Sequence, residues 1–253
     1  MATTYPVVKY HLNRKGDTMK RLLAGNGSLV LIVLVLLALS MIGYVSVSYA
    51  KQSSYDVPST IDASAKYLFF LHNYYVEKHG PDGDCKYYDL LNAFADSGFT
   101  VISEVRFGKI IPCAYAQKIV RQIKTLLDAG VPPENISVAG HSKGGVITLC
   151  VSSKLGNPKV NFVVMAGCEI KPILDKYPDY KTLKGRFLSI YAASDSVASS
   201  CESIFSKASE GISSTEIKLE SESGHRLFFK PEKIWLNPVI NWIKFKSGSG
   251  QTK

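Results

Sequence analysis

Beyond residue 65, apolar runs of strand length alternate with stretches in which apolar residues recur at helical spacing. Tyr67 to Leu71 is the first strand-length run. Lys86 to Ser97 places Tyr87, Leu90, Leu91 and Phe94 on one helical face, and Gly98 supplies a stop. Thr100 to Val105 reads as the next strand, and Tyr115 to Ala129 as a helix through Ile119, Val120, Ile123, Leu126 and Leu127, ended by Gly130. Ile136 to Ala139 is again strand-like. Val146, Ile147, Leu149 and Cys150 then return to helical spacing, and that helix closes at Leu155-Gly156-Asn157-Pro158. Val160 to Ala166 is apolar except for Asn161, as expected of a strand covered on both faces. Arg186 to Tyr191 and Thr215 to Leu219 supply two more strands, and Pro238 to Phe245 a final helix. This alternation predicts an α/β fold, with an open, mostly parallel sheet of about six strands and helices on both faces.

The chain before that domain follows a different pattern. Leu22 to Ala50 contains no charged residue, and residues 29–47 are long and apolar enough for a hydrophobic helix that spans a bilayer. Lys9, Arg14, Lys15, Lys20 and Arg21 precede it against a single acid, Asp17, so the positive-inside rule exports everything after Ala50. Ser48-Tyr49-Ala50 has the small residues a signal peptidase needs, for cleavage before Lys51. Met19-Lys20-Arg21-Leu22-Leu23 would be an ordinary start for such a signal peptide. An uncleaved signal anchor is the alternative, and it would hold the protein at the membrane. The organisation expected is 1–50 as signal peptide or anchor, 51–65 as linker, 66–246 as folded domain and 247–253 as polar tail. Both alternatives make the domain periplasmic, secreted or membrane-anchored outside the cytoplasm.

The net charge of +9 is partly the leader's, because 25 Lys and Arg stand against 20 Asp and Glu after Ala50. That excess is scattered, without the basic stripe and interleaved aromatics of a nucleic-acid surface. All five cysteines follow the leader, and an oxidising compartment permits disulfides. Cys85–Cys113 and Cys168–Cys201 are the expected pairs, from loops after successive strands, with Cys150 buried and free behind Gly140 to Gly145.

The chemistry-bearing stretch is Ser137-Val138-Ala139-Gly140-His141-Ser142-Lys143-Gly144-Gly145. A strand that ends in Gly-x-Ser-x-Gly and opens a helix lifts one serine above a parallel sheet, which makes Ser142 the candidate nucleophile. A hydroxyl needs a base to take its proton, and the base an acid to orient it. His225 is the only histidine after Ser142 and follows the last predicted strand. Asp195 follows the strand Arg186 to Tyr191 and is the candidate acid; Glu169 and Asp175 are rivals. The oxyanion donors expected are the backbone N–H of Lys143 and one from the loop Leu71 to Tyr75. The Lys143 side chain is expected to point away from the site, and Glu77 and Arg106 to pair with each other or Arg106 to bind an acidic substrate group. Cysteine and histidine are too dispersed for a zinc site, and no P-loop pattern occurs, so no metal or cofactor is expected.

With Gly140-His141-Ser142-Lys143-Gly144-Gly145, Asp195 and Gly224-His225 in this order, residues 66–246 resemble the α/β-hydrolase superfamily. Phe69-Phe70-Leu71-His72-Asn73 is similar to the strand and His-Gly loop of that family, with asparagine replacing the glycine. By that similarity Tyr74 is the second oxyanion donor, with Asn73 the alternative. The family usually opens with a β-hairpin that the linker has no room for, which implies a minimal sheet. Nor is there room for a sizeable lid between Ala166 and Arg186, although the Asp82 to Cys85 and Phe107 to Pro112 loops could cover the site. The resemblance implies a serine esterase or thioesterase acting on a small-molecule or acylated substrate. Acyl transfer or peptidase chemistry on the same residues is the alternative, or a non-catalytic envelope protein that uses the fold for binding.

Overall fold

The computed structural model describes residues 56–208 and 210–245. The hydrophobic segment 29–47, the cleavage position and the polar tail lie outside the described residues. No helix among the described residues is long and apolar enough to cross a membrane.

Six strands are present among the described residues: β1 (Tyr67–Leu71), β2 (Thr100–Ile102), β3 (Ile136–His141), β4 (Asn161–Met165), β5 (Gly185–Ala192) and β6 (Ile212–Leu219). They form one sheet in the order β2-β1-β3-β4-β5-β6, and every neighbouring pair is parallel. The α-helices among the described residues are α1 (Tyr74–His79), α2 (Tyr87–Asp96), α3 (Pro112–Asp128), α4 (Lys143–Leu155), α5 (Glu202–Phe205) and α6 (Lys233–Lys244).

Successive side chains of a strand point to opposite faces, and β1 divides accordingly. Leu68 and Phe70 join the core formed with Leu90 and Phe94 of α2 and with Trp235 and Val239 of α6. Tyr67, Phe69 and Leu71 join the other core, with Ile119 and Ile123 of α3 and Ile147 and Val151 of α4. Two covered faces explain why β1 reads as an unbroken apolar run and β4 as one after its first residue, Asn161. The strand order also reverses direction between β1 and β3, because the chain leaves β1 for the edge strand β2 and returns to β1's other side. Ligands of open α/β sheets bind beyond the carboxyl ends of the strands at such a switch point. Here it brings the loop after β1 opposite the turn after β3.

Element ends depart from the expected ones where side chains take over from periodicity. β2 stops at Ile102, because the hydroxyl of Ser103 donates to the Phe70 carbonyl at 2.6 Å and meets the Tyr87 hydroxyl at 2.7 Å. α3 starts at Pro112, ahead of Tyr115, since proline is tolerated where the helix needs no N–H. α6 starts at Lys233, with Pro238 inside it. β6 extends back to Ile212 as a largely exposed edge strand with no apolar alternation to read.

Of the two cysteine pairings expected, Cys168–Cys201 is present and Cys85–Cys113 is not. Cys113 bonds Cys150 instead, with Cα atoms 5.0 Å apart, so the cysteine expected to be free is bridged. The reason is the sheet itself. Cys85 is buried in the core on the α2 side, whereas Cys113 packs with the α3 and α4 core on the opposite face. Cys85 is the free thiol, and burial pushes its pKa up to about 11. Two disulfides are compatible with an exported protein.

Candidate active site

The turn between β3 and α4 is as tight as its glycines imply. A Cβ on Gly140 would lie 2.2 Å from the Gly144 carbonyl oxygen, and one on Gly144 would lie 1.9 Å from the Leu71 carbonyl oxygen. Only hydrogen fits at either position. Ser142 sits between them at φ 57° and ψ −119°, a conformation that costs a non-glycine residue roughly 1–3 kcal/mol. Its N–H donates to the Met165 carbonyl at 2.9 Å, which holds the strained turn against β4.

Asp195 follows β5 in a turn closed by its own N–H to the Ala192 carbonyl at 3.1 Å. Its Oδ1 accepts the N–H groups of Val197 at 2.8 Å and Ala198 at 3.0 Å. Oδ2 is left for the Nδ1 of His225, at 2.8 Å. The disulfide Cys168–Cys201 ties this loop to the one after β4, so the acid is held from both sides. His225 lies in the short helical turn Gly224–Phe229, anchored by buried Leu227, Phe228 and Phe229. Its Nε2 is 2.8 Å from Ser142 Oγ. Because an ionised carboxylate can only accept, Nδ1 carries the proton and the Nε2 lone pair faces the serine hydroxyl. Burial disfavours the Asp195 charge, but the hydrogen bonds from His225, Ala198 and Val197 outweigh it and hold the carboxyl below its ordinary range.

The three residues expected to act together are therefore adjacent, and the rival acids are elsewhere. Glu169 accepts from the Ser203 hydroxyl, and Asp175 pairs with Lys176. Asn73 caps α1: its Oδ1 accepts the Val76 N–H at 3.0 Å. Its Nδ2 donates to Nδ1 of His141 at 3.0 Å, beneath the ring of His225 at a centroid separation of 5.0 Å. Burial, and then the charge of His225, keep the His141 pKa far below normal, so that ring stays neutral. Helix α1 has no period to read, being only six residues long. An asparagine before a polar-apolar switch is its one visible sign in the sequence.

Two expectations about charge are corrected. The Lys143 side chain turns into the site, and its Nζ meets Glu77 Oε1 at 2.7 Å, with side-chain exposures of only 11% and 1%. It also lies over the Tyr74 ring, 5.5 Å from the centroid. Glu77 is therefore the partner of Lys143, not of Arg106. Arg106 turns to His72 instead: its backbone N–H donates to Nε2 at 2.8 Å, and its Nη2 donates to the His72 carbonyl. Burial first, then the Arg106 charge, lower the His72 pKa to about 3.

That depression has a consequence for acid stability. Between about pH 6.5 and 3 the unfolded chain protonates this histidine and the folded chain does not. Stability then falls as pH falls, by about 1.4 kcal/mol per pH unit from His72. Neutral His141 adds a slope of the same sign. Urea midpoints measured from pH 6.5 to 5 are expected to drop more steeply for the wild type than for His72→Asn. Parallel curves would contradict the assignment.

Ser142 and His225 open into a cavity of about 640 Å³. Its walls are mostly apolar, from Ile110, Ile111 and Pro112 before and at the start of α3, Ile170 and Ile173 after β4, and Phe229. Of the two loops expected to cover the site, Phe107 to Pro112 contributes to this wall and Asp82 to Cys85 does not. Among the described residues no cluster of three His, Cys, Asp or Glu side chains is placed to hold a metal ion.

No protein-family model and no curated protein matches this chain. Solved structures do. Esterase PE8 superposes with a TM-score of 0.50 at 16% identity, over 77% of this chain and 98% of its own. SOBER1 of Arabidopsis thaliana gives 0.48 at 14% identity, over 72% of this chain and 98% of its own. Est1E of Butyrivibrio proteoclasticus gives 0.49 at 10% identity, covering 75% and 89%. At 16% identity the likeness to esterase PE8 is one of fold, and the chain has an α/β-hydrolase fold.

Proposed function

We propose that this chain is an exported serine hydrolase acting on carboxylic esters or thioesters, with Ser142 as nucleophile, His225 as base and Asp195 as the acid that orients it. The observation that carries this reading is the unbroken hydrogen-bond chain from Ser142 Oγ to His225 Nε2 and from His225 Nδ1 to Asp195 Oδ2, each link 2.8 Å long. As Ser142 Oγ attacks the acyl carbon, its proton passes to Nε2, and Asp195 stabilises the imidazolium that forms. His225 then gives that proton to the leaving alcohol or thiol as its bond to the acyl carbon breaks. A water attacks the acyl-serine, His225 takes its proton, and the acid departs as the proton returns to Ser142 Oγ.

The tetrahedral oxyanion in both halves would be met by the backbone N–H groups of Lys143 and Tyr74. Each residue is the first of its helix, where N–H groups lack an intrahelical acceptor. Export is supported by the apolar segment at 29–47 behind a basic flank, with residues 66–246 as the folded domain and 51–65 as its linker. The test is intact-mass analysis of the full chain after treatment with a fluorophosphonate. A single adduct on the peptide that contains Ser142 is expected; folded protein that takes up no adduct would sink the reading.

A further inference from the structure

The cavity at Ser142 carries charge of one sign. Lys78 of α1, Lys109 of the loop before α3 and Lys176 of the loop after β4 all line it, as does Lys143. No aspartate or glutamate among the described residues lines it. This is not a reflection of the whole domain, because residues 56–245 hold 22 Lys and Arg against 20 Asp and Glu. Nor is it general to the surface depressions. The one beside Arg226 mixes Lys86, Arg226 and Lys230 with Asp84 and Glu232. The one beside Phe205 is acidic, with Glu202 and Glu216.

Three lysines from three distant chain segments thus converge on one apolar cavity. Lys78 and Lys109 have no ion-pair partner among the described residues, and Lys176 meets only its exposed sequence neighbour Asp175. The charge of Lys143, by contrast, is already matched by Glu77.

We propose that the substrate is an amphiphilic ester, with an apolar chain against Ile110, Ile111, Ile170 and Ile173 and an anionic group, carboxylate or phosphate, at Lys78, Lys109 and Lys176. This rests on the serine-hydrolase reading above. An ammonium is a compact point charge that suits such anions without demanding one geometry. Each methylene of the chain that leaves water tightens binding about fourfold. Together the two features select against small neutral esters, which would occupy a fraction of the cavity and leave the lysines unanswered.

The test uses the full chain and two octanoyl esters, one of 4-hydroxy-3-nitrobenzoate and one of its methyl ester, so that the pair differs by one negative charge. Each kcat/KM is divided by the rate of the same ester with hydroxide. The anionic ester, held below its critical micelle concentration, is expected to be preferred about tenfold at low salt, with the preference shrinking as salt screens the lysines. Lys78→Gln/Lys109→Gln/Lys176→Gln should lose the preference, and the charge-matched Lys159→Gln/Lys218→Gln/Lys233→Gln should keep it. Preference for the monomeric ester identifies a free anionic substrate. Cleavage of phosphatidylglycerol over phosphatidylcholine vesicles, with no preference between the monomeric esters, identifies a lipid headgroup; either supports the proposal. Equal normalised rates in both formats would overturn it and leave the hydrolase reading standing. Failure on every ester together with no fluorophosphonate adduct would overturn both.

Discussion

Ser142→Ala is expected to lower kcat/KM for an activated ester by about 10⁴- to 10⁶-fold, with the fold retained. The size of the loss follows from what remains. Without the hydroxyl, His225 can at best activate a water that nothing aligns with the acyl carbon, and the covalent route is gone. The residual rate is what cavity binding and the proposed oxyanion donors supply alone. Stability should change little. Alanine meets the same φ of 57° as serine, and the strand, helix and glycines around it are untouched. The substitution removes the 2.8 Å hydrogen bond to a partly exposed His225, worth about 1 kcal/mol. Ester hydrolysis and fluorophosphonate labelling on wild type and variant, with denaturant midpoints as the control for folding, measure both halves. A variant that kept a tenth of the activity would remove Ser142 from the mechanism.

The sheet was legible because burial on two faces writes itself into strand composition, and the elbow because sterics demand glycine at Gly140 and Gly144. That Asp195 and His225 would lie beside Ser142 was legible by a weaker argument, their place directly after β5 and β6. What escaped was set by contacts between distant segments. The partner of Cys113 depends on which face of the sheet α3 covers, which no spacing encodes. The direction of the Lys143 side chain depends on a carboxylate 66 residues earlier that α1 swings beneath it. Helix α1 itself owes its start to one asparagine cap and is too short to show a period. The same limit applies to the lysines of the cavity mouth. Lys78, Lys109 and Lys176 are unremarkable along the chain and become a group only once α1 and two loops meet.

Gly144→Ala is expected to be among the most damaging single-methyl additions to this domain, more so than the loss of any surface side chain. The added Cβ would sit 1.9 Å from the Leu71 carbonyl oxygen and 2.7 Å from that of His72. Both are backbone atoms at the carboxyl end of β1, so no side-chain rotation relieves the overlap. Either α4 moves away from β1 or the loop carrying Asn73 and Tyr74 moves away from α4. The first displaces Ser142 from His225; the second displaces the Asn73 link to His141 and the proposed oxyanion donor. Overpacking typically costs 1–3 kcal/mol where side chains can yield, and a backbone collision should exceed that, a large share of the roughly 5–15 kcal/mol that stabilises a domain. Gly130→Ala is the internal scale. That glycine has φ 87° with open space around it, so alanine there meets only the backbone penalty of about 1 kcal/mol. Denaturant midpoints should therefore rank wild type, Gly130→Ala and Gly144→Ala in descending order, with fluorophosphonate labelling abolished only in the last. A Gly144→Ala protein as stable as Gly130→Ala and still labelled would mean that the β1 loop yields freely. The close approach of α4 to β1 would then not be what holds Ser142 in place.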